Sequence, residues 1–392
     1  MNADEIKADE IKADEKKADK KKKLYHYTSV EGFEGIINNN SIRMTKSDFL
    51  NDPSDCKLFI TLVDKYITSH PDVLKDIFSD IGDNSEIIKE IYKNGCDLIQ
   101  YIQYIHKHIS LYVLSLSEID DGMNMWNYYG KGGFELHFSA EDLVSSLKET
   151  LSPENEFLVE VPVIYAKSDT KVEEMAVPAF SEFILKSKDS DNVFEDHSAF
   201  IKTKSNNGEA ELYKTKKLNV FTKTYIRSYI TTLDYLLKHG QISKEMSKED
   251  IFKNVFHNVS KLNDYLYWKH DLSLYMLVLS ALIKSDTYKY EEEYRIVYFN
   301  YNINPDKTEK KKEEEYYIKH ISSGDIICPY ITFKNDSTDN LLKNSLKKIT
   351  VSPSAKYSPI SEEIYQETLK KYIISKGFND IEVSYSQHFN RW

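Results

Sequence analysis

Three charged residues alternate along one predicted strand late in the chain. In the segment Y-K-Y-E-E-E-Y-R-I-V-Y, the residues Glu291, Glu293 and Arg295 share one face, because successive strand residues point to opposite sides of a sheet. Two carboxylates and a guanidinium on one face can bind a ribose hydroxyl and stabilise a positively charged sugar in a water-poor site. A row of structural ion pairs on an edge strand would give the same pattern. The spacing alone leaves both interpretations open.

Arginine is scarce, which draws attention to the few positions that carry it. Among 52 lysines and arginines, only Arg43, Arg227, Arg295 and Arg391 are arginines. A planar, always-charged guanidinium binds phosphate with two parallel hydrogen bonds, which lysine cannot do. Arg43, in N-S-I-R-M-T-K, and Arg295 are therefore candidates for holding a phosphate-bearing ligand. A structural pairing with nearby carboxylates is the equally weighted alternative.

Two further blocks combine polar and aromatic residues. In Tyr25-His26-Tyr27-Thr28 a histidine lies within a predicted strand beside a hydroxyl residue, an arrangement that is more often structural than catalytic. In the segment from Ser115 to Phe138, Trp126 and Tyr129 lie three residues apart on one helical face, before a G-K-G-G turn. Neighbouring aromatic residues usually belong to a core, but beside such a turn they can also form the wall of a pocket for a flat ring.

Composition limits the classes of function. The chain has 392 residues, 41% of them hydrophobic, and a formal net charge of −11, which disfavours extended binding to a phosphate backbone. A small nucleotide or a single-stranded end remains compatible with that charge. The three cysteines form no C-x-x-C pair and there is no H-E-x-x-H. We therefore predict that the protein is located in a reducing cytoplasm and does not depend on a metal. No run approaches the roughly 20 apolar residues of a membrane span, and we expect no membrane partner.

The pattern of elements predicts an α+β fold. Residues 1–23 form a charged five-residue repeat, interpreted as a tail or spacer, with a docking helix for a partner as the alternative. Residues 24–392 are predicted to form a single α+β domain with helical insertions at 56–110 and 172–285. No regular β-α-β alternation is present, which disfavours a doubly wound sheet. Strands are predicted at 24–28, 42–45, 111–117, 133–138, 157–165, 293–301, 315–321, 326–333, 347–352 and 380–385, and a helix at 361–376.

The order of these motifs resembles that of the bacterial domain-of-unknown-function family 2971. The resemblance rests on Y-H-Y-T-S, F-L-N-D-P, S-L-S-E with M-W-N-Y-Y-G and G-F-E-L-H-F, Y-E-E-E-Y-R and I-T-V-S-P, and it extends over about residues 24–388 apart from the insertions. Asp55 stands where a glutamate is common, and Tyr288 or Tyr290 where a tryptophan is common. That family is in turn similar in outline to the ADP-ribosyltransferase superfamily. The resemblance implies a mixed, antiparallel split β-sandwich core with large helical insertions.

The same resemblance implies NAD as the substrate and no metal. His26, with Tyr27 and Thr28 beside it, would bind the ribose of NAD. Trp126 or Tyr129 would stack on nicotinamide, and Arg43 would clamp the pyrophosphate, with Arg295 as a further ligand-binding residue. Glu293 would hold the ribose 2′-hydroxyl and stabilise the transition state, while Glu291 would activate the acceptor.

The implied function is an NAD-dependent ADP-ribosyltransferase that acts as a bacterial toxin or anti-phage defence effector in the cytoplasm. The acceptor would be a protein side chain or a base of a single-stranded nucleic acid such as RNA, and an antitoxin or regulatory protein would be a partner. Water as the acceptor would make the protein an NAD glycohydrolase. A non-catalytic nucleotide-binding sensor or scaffold is the alternative. A phosphate-transferring relative is a third possibility, for which four arginines are few.

Overall fold

The structure is a computed structural model. It describes residues 22–388 except 53, 152–155, 168, 171, 173–174, 179–214, 260–275, 301–311, 322–323, 335–340 and 358–359. The predicted charged tail lies outside the described residues except for its last two, and so does the polar loop predicted near 203–210.

Ten of the described strands form one mixed, largely antiparallel sheet. The strands are β1 (Lys23–Thr28), β2 (Ile42–Lys46), β3 (Leu111–Ser117), β4 (Phe134–Ser139), β5 (Glu156–Pro162), β6 (Ile164–Ala166), β7 (Ala176–Pro178), β8 (Thr215–Lys217), β9 (Ile283–Ser285), β10 (Glu293–Asn300), β11 (Glu314–Ile321), β12 (Gly324–Phe333), β13 (Leu346–Val351) and β14 (Glu382–Tyr385). The large sheet runs β11-β12-β2-β3-β1-β4-β13-β14, with β10 on β3 and β5 on β10. Two short pairs, β6-β9 and β7-β8, lie outside it.

The large sheet divides at β3. One edge of β3 pairs with β10 over its whole length. The opposite edge pairs with β2 at Tyr112 and Val113 and with β1 at Ser117. Since β1 and β2 meet opposite ends of this edge, the middle of β3 is left between two separating branches, and Ser115 is exposed there within an otherwise buried strand.

Helices cover both faces of the sheet. They are α1 (Val30–Asn39), α2 (Leu58–Ser69), α3 (Pro71–Asp80), α4 (Ser85–Lys93), α5 (Leu98–His108), α6 (Met123–Tyr128), α7 (Ala140–Lys148), α8 (Leu218–Lys238), α9 (Lys248–Val259) and α10 (Glu362–Ser375). Residues 276–282 are also helical. None of the helices in the described part of the chain is long and apolar enough to cross a membrane.

The alternation along β3 and β10 separates two hydrophobic cores. Val113 and Val297 face one core with helices α2 to α5, α8 and α9. Leu114 and Ile296 face the other core with α1, α7 and α10. Residues one apart in a strand point to opposite faces, so both faces of the central strands are apolar and buried. The charged side chains of β10 therefore lie in a largely apolar setting.

The α+β class with a mixed sheet is confirmed, and most element bounds agree with the sequence prediction. The strand at 111–117 is found as predicted, and residues 58–108 form four helices. The helical insertion predicted at 172–285 also contains β7, β8 and β9, and the strand predicted at 157–165 is two strands, β5 and β6. Strands of three residues are too short for a period-2 pattern to reveal them.

The turn before β4 has no room for a side chain at Gly133. A Cβ atom there would lie 2.1 Å from the Thr28 carbonyl oxygen and 2.7 Å from the Ser29 carbonyl carbon, whereas a Cβ at Gly35 meets no atom within 4 Å. We expect Gly133→Ala to lower the free energy of unfolding by about 1–3 kcal/mol, because backbone must move. Gly35→Ala in α1 should raise it by about 0.5–1 kcal/mol. Urea unfolding of both variants measures this; equal effects would contradict the close packing of β1 on this turn.

Candidate active site

A cavity of about 270 Å³ lies where the sheet divides. Its wall includes all the residues from Val113 to Ser117 in β3, the residues Tyr25 to Tyr27 of β1, and side chains from β2, β10 and β11. A central strand normally has both edges paired, so polar side chains can approach its backbone only where pairing is interrupted. The split of the sheet therefore supplies both the space and the polar lining.

Arg295 lies at the base of this cavity and is fully buried. Its Nη1 and Nη2 atoms each donate to one Asp55 oxygen at 2.7 Å, while Nε and Nη2 donate to Glu293 at 2.8 and 3.0 Å. Nη1 also donates to the Ala281 carbonyl. All five N–H donors of the guanidinium thus have partners inside the protein. Arg295 was predicted to contact a phosphate-bearing ligand, but no donor remains for one.

Lys284 joins the two glutamates of the motif. Its Nζ atom donates to Glu291 Oε2 at 2.7 Å and to Glu293 Oε2 at 3.0 Å, and all three side chains are at least nine-tenths buried. Lys284 lies on β9, outside the large sheet, and lines the cavity. Its strand pairs with β6, which directly follows β5, and β5 pairs with β10. Together with Arg295 and Asp55, these residues form a buried cluster of three carboxylates and two cations, which we call the charged cluster. Its formal charge is −1.

The backbone brings Glu291 and Glu293 together in a way that the sequence did not predict. Glu291 ends a 3-10 turn and is not part of β10, which begins at Glu293. Between them Glu292 has a left-handed backbone with φ of 40° and is exposed. The two carboxylates therefore meet at Lys284 through a tight turn, whereas the prediction placed them on one face of a continuous strand.

The surroundings of Glu293 favour its charged form. Burial alone would raise the pKa of its carboxyl, but the positive charges of Arg295 and Lys284 outweigh burial and hold the pKa at about 2. Burial lowers the pKa of Lys284, and the negative charges of Glu293 and Glu291 more than offset this and raise it to about 12. Both groups are thus ionised at neutral pH.

His26 lines the same cavity from β1. Its Nδ1 atom lies 3.3 Å from the Ser115 carbonyl oxygen, so Nδ1 carries the proton and Nε2 is a hydrogen-bond acceptor. Burial of the ring lowers the pKa of His26 below its ordinary value, although the bond to Ser115 acts in the opposite direction. Within the described residues Nε2 has no hydrogen-bond partner. A neutral imidazole at neutral pH can accept a hydrogen bond from a ligand hydroxyl.

The β2 and β11 side of the cavity carries positive charge. Arg43 is exposed on β2, and its guanidinium lies 4.6 Å from the centre of the Tyr330 ring. It forms no ion pair with any carboxylate in the described part of the chain. Lys319 of β11 donates to the Phe49 carbonyl at 2.6 Å, and burial lowers its pKa from the ordinary value. Arg43 therefore lines the cavity without a carboxylate partner among the described residues, and its binding of a phosphate-bearing ligand stays a prediction.

The predicted aromatic and hydroxyl residues have different positions. Tyr129 lines the cavity, and its hydroxyl donates to Glu291 Oε1 at 2.6 Å. Trp126 is buried, donates to Asp121 and packs edge-on against Tyr27, so it does not reach the cavity. Tyr27 borders the cavity, but its hydroxyl is bonded to the backbone of the 119–122 loop. Thr28 is buried at the end of β1 and does not line the cavity. Of the two residues predicted to stack on nicotinamide, Tyr129 lines the cavity and Trp126 does not.

A second polar cluster lies on β4, behind the cavity wall: the His137 ring packs edge-on against Tyr25, which lines the cavity. Glu135 and His137 lie on one face of β4, and their side chains are 3.0 Å apart, while Asp120, in the loop between β3 and α6, lies 3.9 Å from His137 Nε2. Among the described residues, Asp120, Glu135 and His137 have carboxylate and imidazole atoms that lie close enough together to bind one metal ion.

Comparison with known families supplies one match. Residues 125–296 match the family model described as a protein of unknown function (DUF2971). The resemblance inferred from the sequence is confirmed for these residues. The DUF2971 match contains Tyr129, Lys284, Glu291, Glu293 and Arg295, and it begins after His26 and Arg43. The comparisons with curated proteins and with solved structures found no match.

Sequence reasoning missed Lys284 and Ser115, which complete the site. Lys284 follows a mostly apolar run and belongs to no recognised motif, so nothing in the local sequence marked it. Ser115 begins the S-L-S-E motif, but its role in the cavity depends on the divided sheet. Asp55 was noted beside the N-D-P turn, but its pairing with Arg295 across 240 positions of sequence left no local signal.

The charged cluster predicts how stability depends on pH. Because the pKa of Glu293 falls from about 4.5 to about 2 on folding, its ionisation stabilises the fold fully above pH 4.5, and this contribution is lost as pH falls toward 2. Glu293→Gln should lower the free energy of unfolding at pH 7 by about 3–5 kcal/mol. The difference from the wild type should shrink between pH 4.5 and 3, as urea unfolding would measure.

The exposed neighbour provides the matched control for this measurement. Glu292→Gln changes the same functional group one residue away, and should alter stability at pH 7 by less than about 0.5 kcal/mol. A difference between Glu293→Gln and wild type that is constant from pH 7 to pH 3 would contradict the assigned pKa.

Proposed function

We propose that this protein is an NAD-dependent ADP-ribosyltransferase and that the cavity at the division of the sheet is its active site. One observation carries the proposal: a single cavity has the charged cluster, with formal charge −1, at its base and, on another wall, the guanidinium of Arg43, which pairs with no carboxylate among the described residues. NAD presents the matching pair of features, a pyrophosphate anion and a ribose that becomes positive as nicotinamide leaves. A cavity with charge of only one sign would match one of them.

The electrostatic argument concerns the step in which the glycosidic bond breaks. As the bond between ribose C1′ and the nicotinamide nitrogen lengthens, positive charge develops on the sugar and nicotinamide leaves with the bonding electrons. Buried carboxylates held by Arg295 and Lys284 need no reorganisation to stabilise that charge. The acceptor then attacks C1′ and loses its proton to a carboxylate. These groups perform this step without a metal ion.

The two glutamates differ in how many hydrogen-bond acceptor positions remain for a substrate, and this suggests different roles for them. Glu293 accepts from Arg295 Nε at one oxygen, and from Arg295 Nη2 and Lys284 at the other. Glu291 accepts one hydrogen bond at each oxygen, from Tyr129 and Lys284. A carboxylate has about four acceptor positions, so Glu291 retains more of them. We therefore assign the contact with a substrate hydroxyl to Glu291 and the fixed negative charge to Glu293.

Other residues of the cavity complete this account of binding. His26 Nε2 would accept a hydrogen bond from a ribose hydroxyl, and Arg43 would bind the pyrophosphate. At about 270 Å³ the cavity lies just below the range of roughly 300–1,000 Å³ typical of ligand pockets. It would therefore enclose one end of an extended dinucleotide and leave the other end near the mouth.

The wider role that we propose follows the family resemblance. The protein would act as a toxin or anti-phage effector in the cytoplasm, with a protein or a single-stranded nucleic acid as the acceptor and an antitoxin or regulatory protein as a partner. Transfer to water would make it an NAD glycohydrolase.

One observation favours a second candidate function. Glu293 is held by two cations, and Arg295 connects it to Asp55, as in a structural ion-pair network. A nucleotide-binding sensor or scaffold that uses Arg43 and His26 without catalysis would have the same geometry. NAD binding without turnover would distinguish this candidate from the enzyme.

Amide substitutions test the catalytic assignment. Glu291→Gln should lower the rate of nicotinamide release by about 100-fold or more, because it removes a group that acts in the transition state. It should remain folded, since Lys284 keeps Glu293 as a partner. Nicotinamide release and transfer of label from adenylate-labelled NAD would be measured with protein and RNA fractions as acceptors. Glu292→Gln should retain wild-type turnover, and a Glu291→Gln rate within threefold of it would remove Glu291 from catalysis.

The anion-binding role of Arg43 can be tested by affinity alone. Arg43→Ala should weaken NAD binding by about 10- to 100-fold, corresponding to the loss of charge-assisted hydrogen bonds worth about 1.5–3 kcal/mol. Its thermal stability should change little, because the side chain is exposed. Arg227→Ala, which removes an exposed arginine paired with Asp80, is the control. Equal NAD affinities of the two variants in calorimetric titrations would contradict the role of Arg43.

A further inference from the structure

We infer that Asp120, Glu135 and His137 form a binding site for a divalent transition-metal ion, separate from the candidate active site. Their ligand atoms lie within 4.8 Å of one another. The sequence motif G-F-E-L-H-F supplies Glu135 and His137, which the proposed function does not use. The inference does not rest on the proposed function.

The side chains of Asp120, Glu135 and His137 converge because of the local fold. Glu135 and His137 are two residues apart on β4 and therefore share a face, opposite Tyr27 and Tyr25 of β1. Asp120 comes from the loop that follows β3. The same loop is fastened to Glu135, because the Asp121 backbone N–H donates to Glu135 Oε1 at 2.9 Å.

Three side-chain oxygen atoms lie near the Nε2 atom of His137. The Nε2 atom lies 2.7 Å from Thr350 Oγ1, 3.0 Å from Glu135 Oε2 and 3.9 Å from Asp120 Oδ1. The Thr350 hydroxyl can donate to Nε2 or accept from it, and Asp120 lies beyond hydrogen-bond distance, so hydrogen bonds of this nitrogen do not join it to both carboxylates. A metal ion can be bound by the nitrogen and both carboxylates at once.

The negative charges around Glu135 also favour the binding of a cation. The Glu135 side chain is fully buried, and no lysine or arginine in the described part of the chain pairs with it. Asp120 and Asp121 add two further negative groups, of which Asp121 accepts from Trp126 and from the Gln387 backbone N–H. Burying a carboxylate without a compensating charge is costly. A bound cation would supply that charge.

The donor set indicates the class of ion. One imidazole and two carboxylates suit Zn²⁺ or Mn²⁺, with bonds of roughly 2.0–2.2 Å. Ligands at those bond lengths lie roughly 3.0–3.5 Å apart in tetrahedral or octahedral sites, so the 3.0 Å pair already fits. Asp120 would close by less than 1 Å toward His137. Its side chain is 58% exposed, which gives the ion an entry path from solvent.

The register of the sheet separates this site from the charged cluster. Glu293 is opposite Ser117, Ser117 is opposite Tyr25, and Tyr25 is opposite His137. His137 is therefore three strand spacings, or about 14 Å, from Glu293 across the sheet. The ion would therefore be structural: it would fix the 118–122 loop, whose Asp121 holds Trp126 of α6 and thereby positions the helix that precedes Tyr129.

Metal binding to the full-length chain tests the inference. After treatment with EDTA and its removal, the protein would be titrated with Zn²⁺ and separately with Mn²⁺, by calorimetry and by thermal unfolding. We expect one ion per chain and a melting temperature raised by a few degrees at saturation, because the ion binds only the folded state. Asp120→Asn should weaken binding by at least 10-fold while the metal-free protein keeps its melting temperature, since Asp120 is exposed.

The control variant is Asp83→Asn, which changes an exposed aspartate in another part of the fold. It should bind metal as the wild type does. Failure of the wild type to bind either ion stoichiometrically would overturn the inference, and so would equal affinities of Asp120→Asn and Asp83→Asn, which would indicate adventitious binding elsewhere. Neither result would bear on NAD turnover.

Discussion

The buried guanidinium of Arg295 is the interaction on which the arrangement of the site depends. It connects Asp55, which precedes the helices of residues 58–108, to Glu293 at the start of β10. It also binds the Ala281 carbonyl in the helical residues 276–282. Three separate parts of the chain therefore meet at one side chain. Replacing it would leave three buried carboxylates with one lysine, which contacts Glu291 and Glu293 but not Asp55, and this is strongly unfavourable.

The second constraint is the incomplete pairing of β3. A strand with apolar residues on both faces would ordinarily lie in the middle of a sheet with both edges paired. Here β1 and β2 use opposite ends of one edge, and the middle of β3 faces a cavity. The cavity is thus bounded by the backbone of rigid strands, which positions side chains more accurately than loops do. The charged cluster supplies its base, and the separating branches supply its walls.

Much of the fold was predictable because its signals are local. The strand at 111–117 alternates between two apolar faces, and Ser29 begins α1 by accepting a hydrogen bond from the Gly32 N–H. The candidate residues Glu291, Glu293, His26 and Arg43 were found because polar residues interrupt predicted strands or precede them. Each of these side chains lines the cavity.

The remaining features depend on contacts that no local pattern encodes. Arg295 was expected to be available to a ligand, but its partner Asp55 lies 240 positions away. Trp126 was expected to face a ligand, but an edge-on contact with Tyr27 buries it. Lys284 lies on a strand of three residues that pairs only with β6. Long-range pairing, and not the properties of single residues, decided these three cases.

A crystal structure of the Glu291→Gln variant with NAD is the most direct test of the central claim, because this variant is expected to bind NAD without consuming it. We predict the pyrophosphate within hydrogen-bond distance of Arg43, and the nicotinamide ribose in the divided sheet, facing the charged cluster. NAD bound outside the cavity, or an empty cavity at a saturating NAD concentration, would contradict the account.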